Sequence, residues 1–171
     1  MTKRSIILGC IVAVFGCLLG ASVFLLKQKW DFKQSIAVIP DFCLPQVMDS
    51  LQFCHTQLIK GNPFVLMYVH PECEICQTEA RQIQQKASNA KDIQWVLVSY
   101  AERESLCQFM ETYQLADIPG LVMLMDSQFV LHDQLEAPGI PTSYVYNSQH
   151  QLVSIVRGIS RLDKLIQLAN H

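Results

Sequence analysis

The chain carries no excess of positive charge. Thirteen lysines and arginines stand against fifteen aspartates and glutamates in 171 residues, for a formal net charge of −2. No basic stripe runs along it, which argues against a nucleic-acid partner. There is no internal repeat and no low-complexity tract, so repeat arrays and long disordered tails are excluded. Only one Cys-x-x-Cys occurs, so the paired motifs of a four-ligand zinc site are missing. What is present is apolar material: half of the residues are hydrophobic, enough for one core of ordinary size.

The N-terminus reads Met1-Thr2-Lys3-Arg4, then an apolar run from Ser5 to Leu26, then Lys27-Gln28-Lys29-Trp30. As a helix at ~1.5 Å per residue the run is about 33 Å long, enough to span the hydrocarbon core. A cleaved signal has a shorter apolar stretch, of roughly 7–15 residues. The expectation is a tail at 1–4, a transmembrane anchor at 5–26, a polar linker at 27–35 and one domain at 36–171. Lysines flank both ends of the run, so the positive-inside rule does not set the orientation. Cys10 and Cys17 fall within this segment.

From Ile36 to Lys60, short apolar stretches punctuated by Pro40, Pro45 and Asp49-Ser50 predict an irregular or hairpin lead-in. Phe64-Val65-Leu66-Met67-Tyr68-Val69 is continuous and apolar, as a central buried strand would be. A helix is expected from Glu74 to Ala87, with Ile75, Ala80, Ile83 and Ala87 as its stripe. A strand follows at 93–98, then a helix at 102–113 bearing Leu106, Phe109, Met110 and Tyr113. Leu121–Met125 is another apolar stretch, and Phe129-Val130-Leu131 reads as a short helix or strand. Thr142–Tyr146 and Leu152–Val156 predict a hairpin, and Leu162–Leu168 a closing helix. Strands alternating with helices before a terminal β-β-α unit give an α/β fold with a mixed sheet.

Cys73 and Cys76 stand in His70-Pro71-Glu72-Cys73-Glu74-Ile75-Cys76-Gln77-Thr78-Glu79, where the first strand passes into the first helix of this domain. A helix start offers unpaired N–H groups and the positive end of its dipole, which favour a thiolate at Cys73. The thiolate is the nucleophile of disulfide exchange, and a second thiol one turn on can resolve the mixed disulfide. Cys73 is therefore the candidate nucleophile and Cys76 the candidate resolving thiol. Glu72, Glu74 and Glu79 oppose the dipole with negative charge, which inclines the pair towards reduction rather than oxidation of a client.

These residues carry a resemblance. Asp41-Phe42-Cys43-Leu44-Pro45 resembles the P-x-F-x-L lead-in of the membrane-anchored TlpA/ResA-like thiol–disulfide oxidoreductases. Cys73-Glu74-Ile75-Cys76-Gln77-Thr78-Glu79 resembles their C-x-x-C-x-x-E, and Gly139-Ile140-Pro141-Thr142 their G-x-P-T loop. The resemblance runs from about Pro40 to the C-terminus. It implies a thioredoxin fold with a mixed central sheet, and a redox disulfide between Cys73 and Cys76. It also implies Glu79 as a proton carrier and a cis Pro141 that leaves the backbone of Ile140 free to pair with a substrate strand. By proline statistics alone that bond would be trans. The implied clients are disulfide-containing exported proteins, some in cytochrome c maturation. A membrane electron donor of the DsbD/CcdA kind recharges such proteins, and no cofactor or metal is needed. The implied place is a single-pass membrane protein with its C-terminal domain extracytoplasmic, periplasmic or in the cell envelope. Four positions depart from the pattern: Glu72 replaces a common tryptophan, His70-Pro71 a small and polar pair, and Ile75 a proline.

Other readings remain open at this level. A thiol peroxidase would carry Thr or Ser three residues before its reactive cysteine, where this chain has His70. A copper-delivery protein would use His70 or His132 with the sulfurs, although its usual spacing is CxxxC. A binding module with an idle dithiol is a further class. Cys43 and Cys54 could pair across the lead-in, since spacing in sequence does not reveal their separation in space. Cys107 is expected as a buried helix thiol.

Overall fold

The computed structural model describes residues 3–49, 51–87, 90, 92–137 and 139–170, apart from the side chains of 3–12, 14 and 33. The chain divides into two compact units, residues 1–35 and 36–171.

The first unit is a helix, α1 (Lys3–Ser35). It does not stop where the apolar run ends. It continues through Lys27, Lys29 and Asp31, so the segment expected as a polar linker at 27–35 is helical. Among the described residues no helix is long and apolar enough to cross a membrane. This corrects the expected transmembrane anchor at 5–26. With it falls the expected single-pass membrane location with an extracytoplasmic C-terminal domain. Met1 and Thr2 of the expected tail, and the side chain of Cys10, lie outside the described residues.

The second unit is built on a five-stranded sheet, ordered β5-β4-β3-β6-β7. Its strands are β3 (Phe64–Tyr68), β4 (Gln94–Ser99), β5 (Leu121–Met125), β6 (Thr142–Tyr146) and β7 (Leu152–Arg157). β3, β4 and β5 run parallel, while β6 is antiparallel to both β3 and β7. The sheet is therefore mixed, as the terminal hairpin requires. The helices are α2 (Glu74–Lys86), α3 (Arg103–Thr112), the short α4 (Val130–Gln134) and α5 (Leu162–Ala169). The lead-in is a two-stranded pair, β1 (Cys43–Pro45) and β2 (Gln52–Cys54).

The period-2 alternation of strands explains the layers. Val65, Met67, Trp95, Leu97 and Val145 belong to one cluster with Ala80 and Ile83 of α2, Leu106 and Phe109 of α3, and Leu162 and Leu165 of α5. Intervening positions Phe64, Leu66, Tyr68, Val96 and Val98 are also buried, on the opposite face. There Phe64 stacks on Tyr146 with centroids 4.5 Å apart, and the Tyr146 hydroxyl donates to the carbonyl of Ile36. Burial on both faces is why β3 and β4 read as continuous apolar runs. Each fully buried side chain of this kind contributes roughly 1.5–3 kcal/mol. Ile83→Ala, in the middle of α2, would cost about 2–5 kcal/mol and loosen the helix that begins at the dithiol.

Candidate redox site

β3 delivers the chain to the carboxyl end of the sheet's central strand at Val69, whose amide donates to the carbonyl of Val98 at 2.9 Å. The next residues form a tight connection held by its own side chains. The amide of Glu72 donates to Nδ1 of His70 at 3.3 Å, and the amide of Cys73 to the carbonyl of His70 at 3.1 Å. The Gln77 side-chain amide reaches back to the carbonyl of Pro71 at 2.8 Å. His70 thus organises the turn, and its ring lies 5.1 Å from that of Tyr100.

Cys73 is the N-cap of α2, in extended backbone geometry, and its sulfur accepts the amide of Cys76 at 3.2 Å. The sulfur takes the place of the usual Ser or Asp oxygen on one of the orphan amides of the helix start. Both cysteines are free thiols, Cys73 half-buried and Cys76 fully buried. Burial, and then the hydrogen bond with Cys73, push the Cys76 thiol well above its ordinary value; the charge of Glu79 adds to the effect. The pair is therefore asymmetric: one reachable sulfur that caps a helix, and one shielded sulfur that keeps its proton.

Glu79 lies three residues beyond Cys76 on the same face of α2 and is 2% exposed. Its Oε1 accepts both the amide of Ser160 at 2.9 Å and the hydroxyl of Ser160 at 2.8 Å. Burial raises its pKa above the ordinary 4.5, and the two bonds from Ser160 work against that rise. The Ile140–Pro141 bond is cis. Ile140 and Cys73 both pack on the cluster that contains Cys76. The carbonyl of Pro141 accepts the amide of Gly158 at 2.9 Å. Among the described residues nothing pairs with the backbone of Ile140.

A sequence model of the AhpC/TSA family matches residues 37–155. The chain belongs to the AhpC/TSA family. No curated protein sequence matches it. Solved structures do. A secreted Mycobacterium tuberculosis disulfide oxidoreductase homologous to E. coli DsbE is 20% identical, with a TM-score of 0.65 over 80% of this chain and 96% of that one. StoA from Bacillus subtilis is 18% identical, with a TM-score of 0.61 over 78% and 99%. Peroxidoxin BcpB from Mycobacterium tuberculosis is 18% identical, with a TM-score of 0.65 over 77% and 93%. At these identities the likeness shows the thioredoxin-like fold. Family and fold together make this chain a thioredoxin-like redox enzyme.

This member of the AhpC/TSA family also carries features that its sequence left open or did not announce. Cys43 and Cys54 form a disulfide, as register partners across β1 and β2. Asp126, fully buried at the end of β5, accepts the amides of Val130, Leu131 and His132 at 2.8, 3.0 and 2.9 Å, and the hydroxyl of Tyr68. That cap resolves the ambiguous stretch at 129–131 as the start of α4. The ring of His132 lies edge-on to Phe129 and Tyr68, while His70 lies against Tyr100. Among the described residues no three His, Cys, Asp or Glu side chains are grouped to hold a metal ion. The partnership of Ser160 with Glu79 spans 81 positions and leaves no local trace in the sequence. Cys107 is half-buried, packed against the core from α3.

Proposed function

We propose that residues 36–171 work as a thiol–disulfide oxidoreductase of the TlpA/ResA type, reducing disulfides in exported proteins through Cys73 and Cys76. The observation that carries this reading is the asymmetry of the dithiol, a half-exposed Cys73 at a helix N-cap over a buried, protonated Cys76. In the forward step the Cys73 thiolate attacks one sulfur of a client disulfide and expels the other as a thiolate. A mixed disulfide joins Cys73 to the client. Cys76 then gives up its proton, with Glu79 as the carrier, and attacks Cys73 Sγ. The second client sulfur leaves, and the Cys73–Cys76 disulfide holds the two oxidising equivalents. The unpaired backbone of Ile140, beside Pro141, supports a role in docking an extended client segment. The Cys43–Cys54 bond fits an oxidising compartment, where such clients are found. An electron donor of the DsbD/CcdA kind would restore the dithiol, and cytochrome c maturation is one setting for such a reductant.

The test is the redox equilibrium of Cys73–Cys76 in the full chain, read by thiol trapping across a glutathione series with Cys107→Ser. A potential below about −200 mV supports a reductant, and one nearer −120 mV would overturn it in favour of an oxidase.

Family membership favours a second reading, a thiol peroxidase. The Cys73 thiolate would attack a peroxide oxygen, giving sulfenic acid and an alcohol. Cys76 would then condense with the sulfenic acid and release water. His70 at the position three before Cys73 speaks against it. Catalytic consumption of hydrogen peroxide by the reduced chain would decide for this reading.

A further inference from the structure

The loop that leads from β7 into α5 is tied to both halves of the candidate site. Gly158 turns it with φ +72, a conformation that side-chain-bearing residues seldom adopt, and its amide holds the carbonyl of Pro141. Two residues on, Ser160 is 7% exposed and reaches α2. Its amide and hydroxyl both donate to Oε1 of Glu79. One turn along α2, Gln82 repeats the contact: its Nε2 donates to the carbonyl of Ser160 at 3.3 Å, and its Oε1 accepts the amide of Leu162 at 3.1 Å. The loop is thus fixed by five hydrogen bonds, and the rotamer of Glu79 is fixed with it. The second carboxyl oxygen, Oε2, is buried and has no hydrogen-bond partner among the described residues.

An oxygen that already accepts two donors has little capacity to carry a proton, and a buried oxygen with none is where a proton resides. We propose that Ser160 is a positioning residue for proton transfer: its two donors occupy Oε1 of Glu79, so that the proton exchanged with Cys76 is carried on Oε2. This rests on the proposed role of Glu79 in resolving the mixed disulfide. The surroundings of the carboxyl are otherwise apolar or neutral. α2 presents Gln82, β3 presents Met67, and α5 presents Leu162 and Leu165, while Cys76, one turn earlier on α2, is near enough for the charge of Glu79 to act on its thiol. Among the described residues Cys76 is the titratable group that interacts with this carboxyl. The ion pair of Lys86 with Asp163, which also joins α2 to α5, is exposed. Removing the hydroxyl leaves the carboxylate with one donor fewer, and the charged form loses support.

The experiment follows the Glu79 carboxyl by carbon NMR in the reduced full chain, and in parallel the pH dependence of mixed-disulfide resolution. Ser160→Ala should move the Glu79 midpoint up by about one pH unit, the scale of one hydrogen bond to a charged group. Ser160→Gly should move it in the same direction, and Ser160→Thr should leave it in place. The resolution profile should shift equally in Ser160→Ala, and Ser160→Ala should add nothing on a Glu79→Gln background. An unmoved midpoint in both Ser160→Ala and Ser160→Gly, or a profile shift that persists with Glu79→Gln, would overturn the assignment. A chain that exchanges no disulfides but shows the moved midpoint would sink the proposed function and leave Ser160 as the group that sets the carboxyl.

Discussion

The amide of Cys76 donates to Sγ of Cys73 at 3.2 Å, so the first turn of α2 is capped by a thiol of its own motif. The same turn that exposes one sulfur buries the other. From this follows a difference in reactivity. The thiolate is the form that alkylates, and Cys76 is fully buried with its thiol pushed well up. In the reduced chain at pH 7, iodoacetamide should modify Cys73 at least about tenfold faster than Cys76. Peptide mass spectrometry over a time course reads both. Equal rates would show that the asymmetry does not exist in solution.

Glu79 makes stability depend on pH with a definite sign. Its folded pKa lies above the ordinary 4.5, because burial outweighs the bonds from Ser160. Below 4.5 the carboxyl is protonated in both states and burial carries no charge penalty. As pH rises from there, the unfolded chain loses the proton first, so the folded state loses stability until its own pKa is passed. Glu79→Gln has no such dependence. Its stability relative to wild type should therefore rise as pH increases above 4.5 until the folded pKa is passed, measured by urea unfolding. A difference that stays constant across that range would contradict the burial argument.

Much of the fold was legible because its signals are local. The run 64–69 is buried on both faces, and the hairpin at 142–156 carries its own turn. Glu74–Lys86 has a clear apolar stripe. The helical path of 27–35 was hidden, since its polar residues resemble a linker and nothing local ends α1 at Leu26. The helix at 130–134 was ambiguous because its first amides are held by Asp126, a side chain outside the apolar stretch itself. At the candidate site, the strand–helix setting of Cys73 and Cys76 could be read from spacing. Ser160 could not, because its contact with Glu79 is made by tertiary packing across 81 positions. The pairing of Cys43 with Cys54 stayed open because spacing in sequence does not reveal separation in space.

Asp126 links the strand that precedes the dithiol to α4. Removing it leaves three helix-start amides and the Tyr68 hydroxyl without their acceptor in the interior. Hydrogen bonds to a charged group contribute about 1.5–3 kcal/mol each, with partial compensation from water. Asp126→Ala should cost at least about 3 kcal/mol in chemical denaturation. Tyr68→Phe removes one of the four donors and should cost about 1.5 kcal/mol. A loss from Asp126→Ala no larger than that from Tyr68→Phe would show that α4 holds without its cap.

The Cys43–Cys54 disulfide bears on stability rather than on the dithiol. It closes a loop of sequence separation 11 and joins two strands of three residues each, too short to persist as an isolated pair. The lead-in it holds lies along the outer edge of the sheet: Gln46 bridges to Leu124, and the amide of Val47 donates to the carbonyl of Met123 at 2.9 Å. β5 is an apolar edge strand, and such an edge pairs with other chains when uncovered. By loop entropy the bond should contribute about 3 kcal/mol. The double substitution Cys43→Ala with Cys54→Ala should lower unfolding stability by that amount and promote aggregation on warming. The alkylation rate of Cys73 should be unchanged, because neither cysteine is bonded to the 70–79 segment. Unaltered stability would mean that the lead-in is held by its bonds to β5 alone. An altered Cys73 rate would mean that the hairpin and the dithiol are coupled.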